Sequence, residues 1–554
     1  MYKHVNVLLF LLLFFVGCHN EKSNKVATRS TLPCLYITLE QSQLDSILLD
    51  RNHKAPADAV LIDANGDTLY DGPLKHFKTR GNATFTRQDK KPFSIKFTKT
   101  HKLFHLDKSK SFVLLANAYD ESHLRNAIAF DVSRAIGLPT PHYVFVSLYI
   151  NDKYNGLYQM TNKVEINKHA LDITDLEKLN KEVNPRPLKE SVKFGEGMQN
   201  QIVQSKGFLL ENTPEDITGG YLLEIIGFQD RYKRKDCGFM SSKGELIIIR
   251  EPEHASKEEV DYIADYYDQM ETALHDPKGY NALTGKHYSD YLDVYSFAKY
   301  YILNELVMNL DAGITSCFMY KDCNSKMMAG PSWDFDASLN YSLWGGKYCS
   351  ANQIWAGSKA GYLGHSSLDG ILYILMKHDD FRRLVYQEWN DTISPICHHI
   401  LESGHWDSLA SHLSYDAERD FIQNNNRQSD NYSMAVRRPL DFLHERIEFL
   451  DWLWTTNGDD VISVADSTFA EMKLYEKYNQ LFYRTGEPII YPTIKKLICY
   501  DDPIPEFFIA GTDSLIPNGT VLNRPAKLEI RWRGPTWKEV QIRRVKKKIN
   551  QIFG

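Results

Sequence analysis

The chain has 554 residues, of which 43% are hydrophobic and 25% are charged, and its formal net charge is −6. This composition excludes a largely disordered chain and gives no reason to expect a nucleic-acid partner. The length exceeds that of one ordinary hydrophobic core, so two or three cooperating units are predicted.

The N-terminus reads MYKHVNVLLFLLLFFVGC, a lysine-bearing start followed by an apolar run that ends at Gly17 and Cys18. The run is too short to span a bilayer comfortably and predicts a secretory signal. Its end is similar to a bacterial lipoprotein signal, so residues 1–18 are predicted to be the signal, with lipid on Cys18, and residues 19–31 a flexible tether. The predicted location is the cell envelope, facing the periplasm or the cell surface. An ordinary cleaved signal or a short anchor is the alternative.

Residues 32–166 alternate apolar and polar side chains between turn signals, which predicts a β-rich region with one amphipathic helix. Within it, Arg80, Gly81 and Asn82 form a polar turn, and Lys96 follows on the next strand. A glycine-bearing turn can present backbone N–H groups to a phosphate, and a lysine directed inward can neutralise it. Taken alone, these residues also fit an ordinary hairpin.

Residues 167–255 are polar and irregular, and they are predicted to form an insertion or connector that contains two strand-like segments, GGYLLEI and GELIIIR. Helices dominate the predicted region 256–458, where apolar residues at helical spacing indicate a long helix that ends just before residue 309. Residues 459–554 are predicted to contain a helix and a small β-rich appendage. The basic tail of this region is interpreted as a solvated end.

Acidic residues stand on both sides of a predicted β-hairpin in the helical region. Asp311 follows the long helix, and Asp334 and Asp336 flank a phenylalanine after the hairpin. Burying a carboxylate is unfavourable unless something compensates its charge. One carboxylate beside an incoming hydroxyl can accept its proton, and a second can hold Mg²⁺ against phosphates, as phosphoryl transfer requires. The hairpin folds the chain back so that these acids can converge.

Several segments, in this order, resemble the CotH kinases, the atypical kinases related to spore coat protein H: FKTRGNATF, KKPFSIKF, LLANAYDESHLRNAIAFDVSRAIGLP, LYINDKYNGLYQM, GGYLLEI, YYILNELVMNLD and GPSWDFDASL. The similarity extends from about residue 32 to residue 454. It implies an α+β protein with a divergent two-lobed protein-kinase-like fold, followed here by the small C-terminal β-rich appendage. It also implies phosphate transfer from ATP, with Mg²⁺ or Mn²⁺, to serine or threonine of an exported protein.

The resemblance assigns roles to residues by motif. Asp311 takes the position of the catalytic acid/base. The implied metal ligands are Asp334, Asp336 and Ser316. The implied nucleotide contacts are the loop Arg80, Gly81 and Asn82, together with Lys96 as a phosphate contact.

The chain departs from the kinase pattern at two positions. Ser316 stands where the pattern has asparagine, and a serine hydroxyl is a poorer and shorter metal ligand. The predicted helix at 122–136 offers no unambiguous glutamate to pair with Lys96. The candidate partners are Asp131, Glu121 and Glu165.

Other functions remain open at this point. A catalytically degenerate member would keep the fold as a surface scaffold or binding protein, whose Asp-Phe-Asp segment caps a turn or binds Ca²⁺. Paired carboxylates also serve glycoside hydrolysis, and Trp333, Trp344 and Trp355 lie near the acids in the sequence. Nucleotide-dependent stabilisation is required by the kinase-like interpretation alone.

Overall fold

The computed structural model describes residues 30–195, 205–226, 237–340, 351–356, 370–424, 431–456, 460–465, 480–491 and 504–553. The predicted signal at 1–18 and nearly all of the predicted tether lie outside these residues. In the part of the chain that is described, no helix is both long enough and apolar enough to cross a bilayer.

Within residues 30–195, seven strands close into a barrel. They are β1 (Cys34–Thr38), β2 (Ala55–Ile62), β3 (Thr68–Thr79), β4 (Phe93–His101), β5 (Ser109–Leu115), β6 (Tyr143–Ile150) and β7 (Lys153–Asn162). Their order around the barrel is β1-β2-β3-β4-β5-β7-β6, and a parallel pairing of β1 with β6 closes it.

Alternating side chains fill the barrel interior. On β4, Phe93, Ile95 and Phe97 are buried in the apolar cluster inside the barrel, and Lys96 between them faces the opposite side of the strand. Phe77 of β3 stacks on Phe93 with ring centroids 4.7 Å apart. The interior is therefore a packed core, so a ligand site has to lie outside it.

Helices α1 (Gln41–Leu49), α2 (Ala83–Arg87) and α3 (Arg125–Ala135) accompany the barrel. The predicted amphipathic helix is confirmed as α3, which is buried on nearly all sides. Its side chains share one large core with Val113 and Leu157 on the outside of the barrel and with the second sheet. This packing places α3 between the barrel and the rest of the molecule.

The prediction of an irregular connector at 167–255 is wrong, because this segment supplies most of a second sheet. The described strands of the sheet, in the order β14-β13-β10-β12-β11-β9-β8, are β8 (Val192–Phe194), β9 (Ser205–Leu209), β10 (Tyr221–Ile225), β11 (Cys237–Met240), β12 (Leu246–Glu251), β13 (Cys317–Lys321) and β14 (Met327–Ala329). Every residue of β10 is buried. The two strand-like segments and the predicted hairpin, which is β13–β14, are confirmed.

The helical region packs against this sheet. Its described α-helices, which follow α4 (Leu176–Val183), are α5 (Lys257–His275), α6 (Tyr288–Tyr291), α7 (Val294–Leu306), α8 (Ile371–Leu375), α9 (Asp379–Glu388), α10 (Ser394–Glu402), α11 (His405–Asn424) and α12 (Tyr432–Thr455). The predicted long helix is confirmed as α7. Glu305 of α7 and Arg446 of α12 form a fully buried ion pair at 2.9 Å, which ties these two helices together.

A smaller sheet follows, with its own apolar core. Its described elements are β15 (Val461–Ala465), β16 (Gln480–Arg484), β17 (Ile504–Ile509), β18 (Leu515–Ile516) and β19 (Ala526–Arg533), and α13 (Trp537–Phe553) comes after them. The helix predicted ahead of the β-rich part falls mainly outside the described residues, but its last residues form β16. The α+β class is confirmed, whereas the closed barrel differs from the open N-lobe sheet of a protein kinase.

A buried ion cluster, here called the junction cluster, joins the barrel to α11. Lys90, just before β4, lies with its Nζ 2.8 Å from Asp420 Oδ1, and the two side chains are 3% and 7% exposed. His123 Nε2 lies 3.5 Å from Asp420 Oδ2. The backbone N–H of Leu157 donates to the same carboxylate at 2.9 Å. Asp420 is thus a buried acid with its charge compensated.

Candidate functional site

A cavity of about 460 Å³ lies where the barrel, α3 and the second sheet meet. Its walls come from the turn after β3, the end of β5, strands β10 and β12, and the loops on either side of the β13–β14 hairpin. It is lined by most of the residues that the sequence predicted for the site: Arg80, Gly81, Asn82, Asp311, Ser316, Asp334 and Asp336. The fold therefore brings these distant positions to one place.

Backbone hydrogen bonds hold the two acid-bearing loops side by side. Leu310 donates its N–H to the carbonyl of Ala337 at 3.0 Å. In return, Leu339 donates its N–H to the carbonyl of Val307 at 2.7 Å. These bonds connect the loop that carries Asp311 with the loop that carries the paired acids, so the acids converge as the hairpin predicted.

Asp334 and Ser316 face each other in this arrangement. The Ser316 hydroxyl donates to Asp334 Oδ2 at 2.8 Å. Both residues have left-handed backbone conformations, with φ of 54° for Ser316 and 69° for Asp334. Such conformations are uncommon for residues other than glycine and concentrate at functional sites. The backbone is therefore shaped to present these two side chains to each other at the cavity.

Buried amides connect α3 with the loop of paired acids. Asn126 of α3 accepts the backbone N–H of Phe335 through Oδ1 at 2.8 Å. Its amide group donates to Asn117 Oδ1 at 3.2 Å, and Asn117 donates to Gln159 Oε1 at 3.2 Å. The sequence analysis missed this role of Asn126, because an asparagine within an apolar helix has no distinctive spacing.

Arg80 brings a positive charge to the wall that carries Asp334. Its guanidinium carbon lies 5.4 Å from the centroid of the Trp333 ring. Burial lowers the pKa of Arg80, and the charges of Asp334 and Glu224 oppose that shift. Glu224 in turn forms an ion pair with Arg250 of the neighbouring strand. Glu224 and Arg250 were not predicted, because they lie in the segment interpreted as a connector.

The charged groups that act on Asp336, in contrast, are mainly other acids. The pKa of Asp336 is raised well above its usual value, first by burial and then by the charges of Asp334, Asp311 and Asp120, while Arg125 acts in the opposite direction. A bound cation would relieve this repulsion. Burial and the neighbouring acids therefore make the charged form of Asp336 unfavourable.

The donor set fits magnesium. Mg²⁺ is often held by one or two carboxylates together with water and phosphate oxygens, and a serine hydroxyl can add a weaker oxygen ligand. Asp334, Asp336 and Ser316 supply such oxygens at the cavity wall. The described residues contain no group of three or more acid, histidine or cysteine side chains already arranged around an ion position. A metal held by these side chains would need further oxygen ligands to complete its coordination.

Comparison with protein families matches residues 77–450 to the family described as CotH kinase protein. This match covers more than half of the 554 residues. The chain belongs to the CotH kinase family. A search of curated proteins found no match. Apart from Arg51 and Asn52, every residue that lines the cavity falls within the range of the CotH match.

Lys96 is the predicted site residue that the structure does not bring to the cavity of this CotH-family chain. It does not line the cavity, although it lies on the outer face of β4, because it pairs with His76, two residues before the Lys78 that lines the cavity. Alternation revealed two faces of the strand but not how far along it the site begins. The lysines that do line the cavity are Lys78 and Lys163.

The three candidate acidic partners of Lys96 lie in different surroundings. Burial, followed by Lys163, lowers the pKa of Lys96, and the charge of Glu165 opposes this shift. Asp131 is engaged elsewhere, since it accepts hydrogen bonds from the Tyr143 hydroxyl at 2.9 Å and from Trp406 Nε1 at 3.1 Å. Glu121 is buried. The interpretation of Lys96 as half of a kinase-type ion pair at the cavity therefore lacks support.

The tryptophans near the acids do not form an exposed platform for a sugar. Trp333 is 7% exposed and Trp355 is 9% exposed, and both belong to the main core. Trp344 lies outside the described residues. The two described tryptophans near the acids, which had suggested glycoside hydrolysis, therefore serve core packing.

Proposed function

We propose that the protein is a CotH-type kinase that transfers phosphate from ATP, with Mg²⁺ or Mn²⁺, to serine or threonine of an exported protein. The observation that carries the proposal is the presence of Asp311, Asp334 and the Arg80–Gly81–Asn82 turn around one cavity. In this proposal the barrel acts as the N-lobe and the sheet with its helices acts as the C-lobe of a divergent kinase-like fold.

Asp311 is the proposed proton acceptor. It lines the cavity, and its backbone N–H donates to Asn309 Oδ1 at 3.1 Å, which fixes the loop beneath it. A carboxylate held beside an acceptor hydroxyl orients that hydroxyl and takes its proton as the bond to phosphorus forms. This role needs Asp311 ionised and in place before the acceptor arrives.

The proposed nucleotide contacts are Arg80, Gly81 and Asn82, and Arg80 replaces Lys96 as the proposed phosphate contact. Gly81 has a φ of 90°, and a Cβ there would lie 3.2 Å from Pro92 Cγ, so the turn favours glycine. Arg51 holds the turn by donating to the Gly81 carbonyl. A metal held by Asp334, Asp336 and Ser316 would neutralise phosphate charge.

Export and membrane anchoring are part of the proposal. The apolar run that ends at Cys18 supports attachment of lipid to this cysteine and a location in the cell envelope. Metabolic labelling with a fatty acid tests this point. Label should appear in the wild-type chain and disappear in the Cys18→Ser chain, whereas label in both, or in neither, would contradict lipidation at this residue.

Transfer of labelled phosphate from ATP tests the kinase proposal. The protein without residues 1–29 is compared with Asp311→Ala and Asp334→Ala, and Asp265→Ala on the exposed side of α5 is the matched control. We expect transfer to itself or to exported proteins to fall by about 10²- to 10⁴-fold in the two cavity variants and to stay unchanged in the control. Equal transfer by all four proteins would contradict the assignment.

One observation favours a second candidate, a nucleotide-binding member without transfer activity. Ser316 stands where kinases have a metal-binding asparagine, and its hydroxyl donates to Asp334. Such a protein would be stabilised by ATP and metal but would transfer nothing. Gain of transfer in Ser316→Asn would identify this serine as the reason.

A further inference from the structure

A row of basic side chains on the outer surface of the barrel has no part in the function proposed so far. We call it the lysine face. It consists of Lys54, Lys75, His76, Lys78, Lys96 and Lys163. Lys54, Lys75 and Lys163 are exposed, and the others are half-buried.

Strand register brings these residues together. His76 of β3 pairs with Lys96 of β4, and Lys96 pairs with Ser111 of β5. Lys163 directly follows the last residue of β7, the strand that pairs with β5. Neighbouring strands lie about 4.8 Å apart, so these residues form a row that crosses the barrel wall.

The row ends at the cavity. Lys163 and Lys78 both line the cavity that holds Asp311 and Asp334. Lys78 lies two residues after His76 on β3, and alternation therefore puts both on the outer side of that strand. The lysine face is thus continuous with the mouth of the proposed active site.

The crowding of these cations is unfavourable for the barrel itself, because like charges on facing strand positions repel. Two acids, Glu165 and Glu251, lie near the Lys163 end of the row, and Glu165 is 3.6 Å from Lys163. Burial, followed by the charges of the neighbouring Lys54, Lys96, Lys78 and Lys75, lowers the pKa of His76 to about 4. A ligand that carries several negative charges would relieve this repulsion.

We propose that the lysine face binds an acidic segment of the protein substrate and leads the neighbouring serine or threonine into the cavity. The identification of the bound segment as substrate rests on the proposed kinase function, but the binding does not require catalysis. A short acidic peptide needs only this local row. A long polyanion would also meet the rest of a chain whose net charge is −6.

The experiment measures binding and transfer separately, with the protein that lacks residues 1–29. The probe is a fluorescent peptide with one serine between runs of glutamate, and its comparison peptides have runs of lysine or of glycine. Lys54→Glu/Lys75→Glu/Lys96→Glu reverses three charges of the lysine face without changing residues that line the cavity. Lys189→Glu/Lys243→Glu/Lys278→Glu is the matched control, because it makes the same change of charge at exposed positions elsewhere.

We expect the acidic peptide to bind more tightly than either comparison peptide, and its Kd to rise about tenfold or more in the lysine-face variant and little in the control. Binding should weaken as salt is added. The double variant Lys54→Gln/Lys75→Gln changes only two exposed positions and should give a smaller loss of peptide affinity. It keeps the test valid if the triple variant misfolds.

Equal binding to both triple variants would overturn the proposal. So would tighter binding of a single-stranded oligonucleotide than of the acidic peptide at the same salt concentration. Peptide binding that depends on the lysine face, without phosphate transfer in any protein, would leave the docking surface standing and reject the kinase function. Transfer with a KM for the acidic peptide that the lysine-face variant leaves unchanged would retain the kinase and reject the docking surface.

Discussion

Two buried acids of this molecule, Asp420 in the junction cluster and Asp336 in the cavity, have opposite surroundings. In the junction cluster, burial raises the pKa of Asp420, but Lys90 and His123 together lower it by more. The pKa of Asp420 therefore lies below its usual value. In the cavity, burial and neighbouring acids act in the same direction and raise the pKa of Asp336. The first arrangement serves the fold by joining the barrel to α11. The second is unfavourable for the fold alone, which is why we assign it to ligand binding.

The largest effect on stability is expected at Asp420. Asp420→Ala leaves Lys90 charged and buried without its partner, and breaking one half of a buried pair costs about 3–5 kcal/mol. Urea unfolding of the wild type and the variant measures the difference. Lys90→Met combined with Asp420→Leu should recover part of the loss, since both charges are then absent. A loss of unfolding free energy below about 1 kcal/mol in the single variant would mean that the junction cluster does not stabilise the contact between the barrel and α11.

Gly156 tests the same junction without changing a charge. It has a φ of 129°, and a Cβ on it would collide with Asp420 Oδ1 and lie 3.0 Å from Lys90 Cε. We expect Gly156→Ala to destabilise the protein by about 1–3 kcal/mol, because the cluster must shift to make room. Gly66→Ala is the matched control, since a Cβ at Gly66 meets nothing within 4 Å and its φ is also positive. Equal losses in the two variants would attribute the effect to backbone conformation alone.

Asn126 belongs to the cavity side of the comparison, because it lies on α3 and accepts the backbone N–H of Phe335 in the loop of the cavity acids. Asn126→Leu leaves the buried N–H of Phe335 without its acceptor, and such a loss costs about 1–3 kcal/mol. If the amide positions the acids, phosphate transfer should fall through kcat, with little change in KM for ATP. A stability loss with kinetics unchanged would show that the amide serves folding only.

The two groups should also respond to pH with opposite sign. The pKa of Asp420 is lowered by folding, so its stabilising contribution is present above the usual pKa of an aspartate and is lost as pH falls through the lowered value. The pKa of Asp336 is raised, so its unfavourable contribution is complete above the raised value and shrinks as pH falls from there to the usual pKa of an aspartate. Unfolding of Asp420→Asn and Asp336→Asn at several pH values measures both trends. Identical trends would contradict the comparison.

Local features of the site could be predicted from the sequence, and features made by distant contacts could not. The helix before Asp311, the hairpin and the paired acids are contiguous, so their periodicity and turn residues were sufficient. Asn126 and Glu224 join the cavity only because α3 and β10 pack beside it. The side of β4 that carries Lys96 depended on closure of the barrel, in which β1 pairs with the distant strand β6.

The fold shows the same limit. The second sheet was missed because its apolar segments are short and stand between polar residues, although the two longest were recognisable as strands. The junction cluster joins Lys90 to Asp420, which are 330 residues apart, and no local sequence pattern predicts such a pair. Sequence periodicity therefore predicted helices, strands and the position of the acids, whereas the walls of the cavity depend on packing between distant segments.

The central claim is that the cavity acids are kept for binding rather than for folding, and the stability of Asp336→Asn with and without ligand tests it most directly. Without ligand, we predict that the free energy of unfolding equals or exceeds that of the wild type, because a repelled charge has been removed. With Mg²⁺ and ATP, we predict that the wild type is stabilised and that the variant loses most of this gain. A variant that is destabilised without ligand, as Asp420→Asn should be, and that gains as much as the wild type from Mg²⁺ and ATP would contradict the account.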